Sequence, residues 1–196
     1  VKIASIVEGY GEVSALPVLL RRLLEWRPTE AYVEIERPNR VPRDRFINSL
    51  DEFARYLKLA RMQCGDDGWI LILLDADDDC PVELATVLLA RGREIDEHRL
   101  SVVIAKREFE AWFIGAAASL NGQRSLTVGP ADLTVDAESP RDAKGWLRTR
   151  MTKGSYGPVT DQPAFAALMD LQQTFDRCRS FRKLCSEWDA NLGRAT

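Results

Sequence analysis

The sequence holds a single histidine, His98, and four cysteines, Cys64, Cys80, Cys178 and Cys185, none in a C-x-x-C pair. A structural zinc site needs four Cys or His ligands in close pairs, so none is expected. Four cysteines in 196 residues are too few for a disulfide framework, and buried thiols are the expectation. No apolar run is long enough to span a bilayer, and no basic-then-apolar leader opens the sequence at Val1. A cytoplasmic protein with no membrane contact is therefore expected. The phosphate-binding pattern G-x-x-x-x-G-K-S/T is missing, which excludes a P-loop. His98 sits in a charged stretch and is expected to be solvated, and no Ser–His–Asp arrangement can be assembled around it. An excess of positive charge is absent too. Lys and Arg number 27 against 30 Asp and Glu, a net charge of −3, so any nucleic-acid contact must come from local patches.

What is present is an ordinary globular mixture, 45% apolar and 29% charged. Val1–Val7 reads as a buried strand. Ala15 to Trp26 has apolar residues at helical spacing, with Ser14 as its cap and Pro17 in its first turn. Ala31–Glu36 alternates as a second strand, and Arg37–Arg45 reads as a Pro- and Arg-rich loop. Helices are expected over Phe46–Met62, Pro81–Arg91 and Glu108–Leu120. Trp69–Leu74 is continuously apolar, as a strand covered on both faces must be, and Leu100–Ala105 is a fourth strand. Strands alternating with helices predict a Rossmann-like parallel four-stranded α/β sheet over residues 1–120. Residues 121–196 predict an irregular linker and a helical C-terminal extension, with helices at Pro140–Met151, Pro163–Phe175 and Arg179–Leu192.

In such sheets ligands bind beyond the carboxyl ends of the strands. Three of the four strand ends carry paired acids: Glu8-Gly-Tyr-Gly-Glu12, Asp75-Ala-Asp77 and Glu108-Phe-Glu110. Asp75 and Asp77, two apart in an extended segment, are expected to point the same way. Gly9 and Gly11 are expected to turn the backbone so that Glu8 and Glu12 aim at one spot. Carboxylates packed this closely repel, and a divalent cation removes the repulsion. Oxygen ligands without His or Cys suit Mg²⁺, Mn²⁺ or Ca²⁺, and Mg²⁺ or Mn²⁺ should also raise the melting temperature.

Other motifs fit less well. An EF-hand loop starting at Asp75 would need Gly at Cys80 and Glu at Thr86. Gly9-x-Gly11-x-x-Ser14 imitates a dinucleotide fingerprint, with Glu34 or Glu36 as the ribose acid. However, Glu8 and Glu12 flank the place where a pyrophosphate would sit. A nucleotide-binding α/β protein is thus a lesser alternative.

Val7-Glu8-Gly9-x-x-Glu12, Leu74-Asp75-Ala76-Asp77 and Arg107-Glu108-Phe109-Glu110-Ala111-Trp112 together resemble the TOPRIM domain. The pattern is most similar to the OLD-type (overcoming-lysogenization-defect) nucleases and to a family of small bacterial TOPRIM-like proteins. Pro140…Lys144 and Tyr156-Gly-Pro158-Val-Thr-Asp161-Gln162 resemble later segments of that small family. The resemblance implies metal-dependent phosphodiester chemistry, a nuclease or related phosphotransfer enzyme, with a setting in phage defence or a mobile element. Carried over by motif, Glu8, Glu12, Asp75, Asp77, Glu108 and Glu110 would hold metal. Lys144, or failing it Lys153, would be the assisting lysine. The resemblance also leaves open a non-catalytic partner subunit that binds protein or nucleic acid, and a partner such as the ATPase that OLD proteins carry.

Three stretches concentrate the cations: Arg37, Arg40, Arg43 and Arg45; Arg141, Lys144, Arg148, Arg150 and Lys153; and Arg177, Arg179, Arg182 and Lys183. Arg141, Lys144 and Arg148 recur at helical spacing, and with Lys153 they are the candidate contacts to DNA or RNA. Trp112, Trp146 and Tyr156 are expected in the core rather than stacked on bases.

Overall fold

The run Lys2–Val7, buried from its second residue onward, forms strand β1 in a computed structural model that describes residues 1–96 and 98–193. The last residues of the expected extension, 194–196, lie outside the described residues. After β1 come α1 (Tyr10–Trp26), the short strands β2 (Glu34–Ile35) and β3 (Asn39–Arg40), and helices α2 (Arg43–Asn48) and α3 (Leu50–Cys64). Next are β4 (Trp69–Asp75), α4 (Pro81–Ile95) and β5 (Leu100–Ala105). Helices follow: α5 (Ala111–Gly115), α6 (Ala117–Leu120), α7 (Pro130–Leu133), α8 (Ala143–Arg148), α9 (Pro158–Leu168), α10 (Leu171–Arg177) and α11 (Arg179–Leu192).

Every strand pairing in the sheet is parallel, in the order β2-β1-β4-β5. β3 continues the β2 edge, with Asn39 opposite Ile6 and Arg40 opposite Val7. The strand expected over Ala31–Glu36 is thus confined to Glu34–Ile35, and the loop expected over Arg37–Arg45 contains a second strand piece. Pro38, which has no N–H for the ladder, separates the two.

Alternating side chains supply two apolar faces. Ile3, Val7, Leu71, Leu73 and Val103 pack with α1 and with Leu147, Phe165, Phe181 and Trp188 of the later helices. Ala4, Ile6, Ile70, Ile72, Leu74 and Ile104 pack beneath α3 and α4. Cys64, Cys178 and Cys185 are buried and Cys80 is exposed. His98 is half-buried, with Nε2 3.5 Å from Cys64 Sγ, rather than solvated. Among the described residues no helix is long and apolar enough to cross a membrane.

Several helix boundaries differ from expectation, each through a local cap. α1 starts at Tyr10 because Glu12 Oε2 accepts the Gly9 N–H at 2.6 Å, so Ser14 is no cap and Pro17 lies inside the helix. The helix expected over Phe46–Met62 breaks at Ser49, whose hydroxyl caps α3 by accepting the Glu52 N–H. The Glu108–Leu120 helix splits at Ala116. The Pro140–Met151 helix shrinks to α8, started by Asp142, whose Oδ1 accepts the Gly145 N–H at 2.6 Å. The Pro163–Phe175 helix starts earlier, at Pro158, and is interrupted before Asp170, which caps α10.

Candidate functional site

Because the sheet is parallel, the chain leaves β1, β4 and β5 at one edge. Glu8 follows β1, Asp75 ends β4, and Glu108 and Glu110 follow β5. Glu12 comes from the first turn of α1, and Lys144 enters from α8. Three of the carboxylates, Asp75, Glu108 and Glu110, and the lysine build an inner cluster. Lys144 Nζ lies 3.0 Å from Glu108 Oε1, 3.2 Å from Glu110 Oε2 and 3.4 Å from Asp75 Oδ2. The backbone N–H of Lys144 donates to Glu108 Oε2 at 2.9 Å, which ties the start of α8 to the strand end. Asp75 Oδ1 accepts the Phe109 N–H at 2.7 Å. Glu110 has no exposed surface, and its Oε1 accepts from Tyr156 Oη at 3.0 Å and from Gln162 Nε2 at 2.7 Å.

Asp77 does not point with Asp75. Its φ is +50°, so the segment is not extended there, and the side chain turns outward to Arg43. Arg43 organises this outer group. Its Nε lies 3.8 Å from Glu8 Oε2 and 3.7 Å from Asp77 Oδ2, and its Nη2 pairs with Asp79. The same guanidinium donates to the carbonyls of Asp75 and Ala76, fixing the end of β4. Arg107 is also left-handed, with φ +66°, and donates to the Asp77 carbonyl and to Asp78. Two left-handed non-glycine residues side by side cost about 1 kcal/mol or more each, strain of the kind that collects at functional edges.

Burial and crowding dominate the electrostatics. Burial, then Glu12 and Asp77, push Glu8 up to about 7 against the pull of Arg43 and Lys144. Burial, then Glu12, Glu110 and Glu8, hold Asp75 well above the usual carboxylate range. Glu12 is raised by burial and by Glu110, despite the Gly9 N–H. For Lys144 burial works against the charge, but Asp75, Glu110 and Glu108 outweigh it and raise the ammonium above its ordinary value. One lysine shared among several acids is thus firmly charged, while each acid still feels the others.

The glycines act differently from expectation. Neither Gly9 nor Gly11 has a positive φ. What Gly11 provides is close approach: a Cβ there would lie 2.0 Å from Gln162 Oε1 and 2.7 Å from the Pro158 carbonyl. Gly11→Ala must therefore push α9 away from α1 and disturb the Gln162–Glu110 contact. A loss of about 2–3 kcal/mol in chemical denaturation is expected. An unchanged denaturation midpoint would show that the helices are not packed this closely.

The cations expected on one face of a helix are dispersed. Arg141 precedes α8 and pairs with Asp78, whereas Lys144 turns inward to the acids. Arg148 and Lys153 are exposed and have no ion pair among the described residues. Arg150 stacks over Trp146 at 3.8 Å and pairs with Asp132. Arg177 spends its donors on the carbonyls of Ile114, Gly115 and Val135. Trp112 and Tyr156 are buried in the core.

Sequence reasoning did not place Arg43 at the acids or assign work to Tyr156 and Gln162. The Tyr156…Gln162 segment stood out only as a resemblance; the structure turns it toward Glu110.

The fold and site define a parallel α/β protein with a crowded carboxylate cluster at the carboxyl edge of its sheet. Residues 7–188 match the family described as Domain of unknown function (DUF4276), and the chain belongs to that family. No curated protein and no solved structure matches the chain.

Proposed function

We propose that this protein is a divalent-metal-dependent phosphodiesterase, a nuclease of the TOPRIM type, working at the acidic sheet edge. The observation that carries the reading is the uncompensated charge: Glu8, Glu12 and Asp75 are all held above their ordinary values even with Lys144 and Arg43 beside them. Among the described residues, no three Asp, Glu, His or Cys side chains stand close enough to hold a metal ion as placed, and Lys144 draws the inner carboxylates together. The donor set still suits a hard cation. The candidate ligands are carboxylate oxygens without His or Cys, and Glu8 Oε2 is buried without a hydrogen-bond partner among the described residues.

Glu8, Glu12, Asp75, Asp77, Glu108 and Glu110 are the residues that would hold Mg²⁺ or Mn²⁺. When bound, such ions supply an activated water and charge neutralisation at the phosphoryl oxygens. Lys144 stays protonated at neutral pH and cannot act as a base. Its part is to hold Asp75, Glu108 and Glu110 in place and to offer positive charge to a phosphoryl oxygen. Tyr156 and Gln162 fix the rotamer of Glu110, and Arg43 fixes the end of β4.

The deciding experiment is calorimetric titration with Mn²⁺, wild type beside Asp75→Asn/Asp77→Asn. Binding in wild type, lost in the variant, is expected. The ion must displace the proton that Glu8 holds up to about 7. Apparent affinity should therefore rise about tenfold per pH unit below pH 6, about fivefold from 6 to 7, and level off above. Absence of wild-type binding favours a second reading, a non-catalytic subunit in which Lys144 permanently closes the acids. The three carboxylates already gathered on its ammonium are the observation behind that reading.

A further inference from the structure

Beside the acids, on the outer side of the Glu8–Glu12 turn, lies a cavity of about 530 Å³ whose lining includes Tyr10, Arg37, Asn39, Arg40 and Gln63. Its chemistry is opposite to that of the acidic cluster. Arg37 is exposed, and among the described residues neither Arg37 nor Arg40 has a carboxylate partner. Parallel pairing fixes Arg40 opposite Val7, one residue before Glu8, and its Nη1 reaches the Glu8 carbonyl at 3.4 Å. Its guanidinium lies 4.0 Å from the centre of the Tyr10 ring. Tyr10 is 66% exposed, so with one face on Arg40 the ring keeps the other open to solvent. An aromatic with a cation behind it makes a stacking platform for a base, and two guanidiniums without a carboxylate partner among the described residues make a phosphate clamp beside it. Asn39 and Gln63, hydrogen-bonded to each other at 2.5 Å, form part of a polar wall.

We infer that this cavity is a nucleotide subsite for a single-stranded polynucleotide. Arg37 and Arg40 hold a phosphate flanking the one at the acids, and a base stacks on Tyr10. A volume of this size holds one nucleotide unit. Stacking on Tyr10 requires an unpaired base, which selects single strands over duplex. The inference rests on the phosphodiester reading for its choice of occupant, and it names the substrate class of that site.

The test is fluorescence anisotropy with labelled oligothymidylate and oligouridylate, and with a duplex of the same length, in EDTA. Wild type is expected to bind the single strands more tightly than the duplex. Tyr10→Ala should weaken single-strand binding about tenfold, and Tyr10→Phe should restore it. Arg37→Ala/Arg40→Ala should flatten the dependence of log affinity on log salt by about 0.7 for each lost phosphate contact. Arg37→Ala alone, at an exposed position, repeats the test without risk to folding. Arg55→Ala, on the surface of α3, serves as the control and should change nothing. Equal losses with both polymers assign the pocket to phosphate and base alone; loss with only one assigns it to that polymer. Absent wild-type binding, an unchanged salt slope, or duplex bound as well as single strand overturns the inference. EDTA keeps the two proposals separate. Failure to cleave with Mn²⁺ would sink the phosphodiesterase, whereas unchanged binding in these variants would sink the subsite alone.

Discussion

Asp75→Asn is expected to cut metal-dependent cleavage of polynucleotide severely while leaving the protein at least as heat-stable as wild type in EDTA. The two effects come from one cause. Asp75 is buried among Glu12, Glu110 and Glu8, and its carboxyl is held well above the usual range. Ionising this side chain is therefore a burden on the fold. An amide of the same shape removes the charge and keeps an oxygen to accept the Phe109 N–H. The contact it gives up is the 3.4 Å approach to Lys144, which retains Glu108 and Glu110. For catalysis the charge is the point, because an amide is a poor ligand for a hard cation. A fall in kcat of about a hundred- to a thousandfold is expected, with Mn²⁺ no longer raising the melting temperature. Cleavage at the wild-type rate would remove Asp75 from the chemistry. A melting temperature several degrees below wild type at pH 8 would mean that Asp75 is a structural ion-pair partner instead.

The site was legible in the sequence to the extent that strands dictate it. β4 reads as a strand because all seven of its residues are buried, and a buried parallel strand has no polar face to interrupt the apolar run. Once β1, β4 and β5 are placed in parallel, Glu8, Asp75 and the Glu108–Glu110 pair must share an edge. What could not be read was conformation and contact fixed by the rest of the fold. Asp77 takes its left-handed turn where the backbone of Arg107 accepts its N–H across the sheet edge. By spacing alone Lys144 reads as one cation in a basic stretch, singled out only by the resemblance; the Asp142 cap and the Glu108 contact are what turn it inward. Gly11 imitates a turn residue, whereas its real constraint is a partner helix about 150 positions later in the chain. β3 was hidden because two residues flanked by prolines carry no periodicity.

Replacing Lys144 by Met removes a positive charge of opposite consequence to that of Asp75. The ammonium is a shared counter-ion for Asp75, Glu108 and Glu110, and its elevated value shows how strongly the folded state favours the proton. A lysine raised on folding contributes stability throughout the range below its ordinary value near 10.5, and hence at every neutral pH. Its loss leaves buried carboxylates uncompensated, a penalty of about 3–5 kcal/mol. For a chain of this length that is a fall in melting temperature of about 10 °C. The penalty must grow with pH. Near pH 5 Glu8, held up to about 7, carries its proton, and the upward push on Asp75 acts in the same direction, so the missing cation is better tolerated. Near pH 8 Glu8 is ionised, and the deficit is larger. The gap between wild type and Lys144→Met in EDTA should therefore be small at pH 5 and widest at pH 8. Millimolar Mn²⁺ should close most of it at pH 8, because a divalent cation supplies the charge the lysine had provided. A gap that is the same at both pH values would mean that Lys144 stabilises by packing alone. A gap that widens with pH but ignores Mn²⁺ would leave the charge balance intact and count against a cation ever entering the acids. That second result separates a closed, lysine-locked cluster from a working metal centre, and it does so without requiring a substrate.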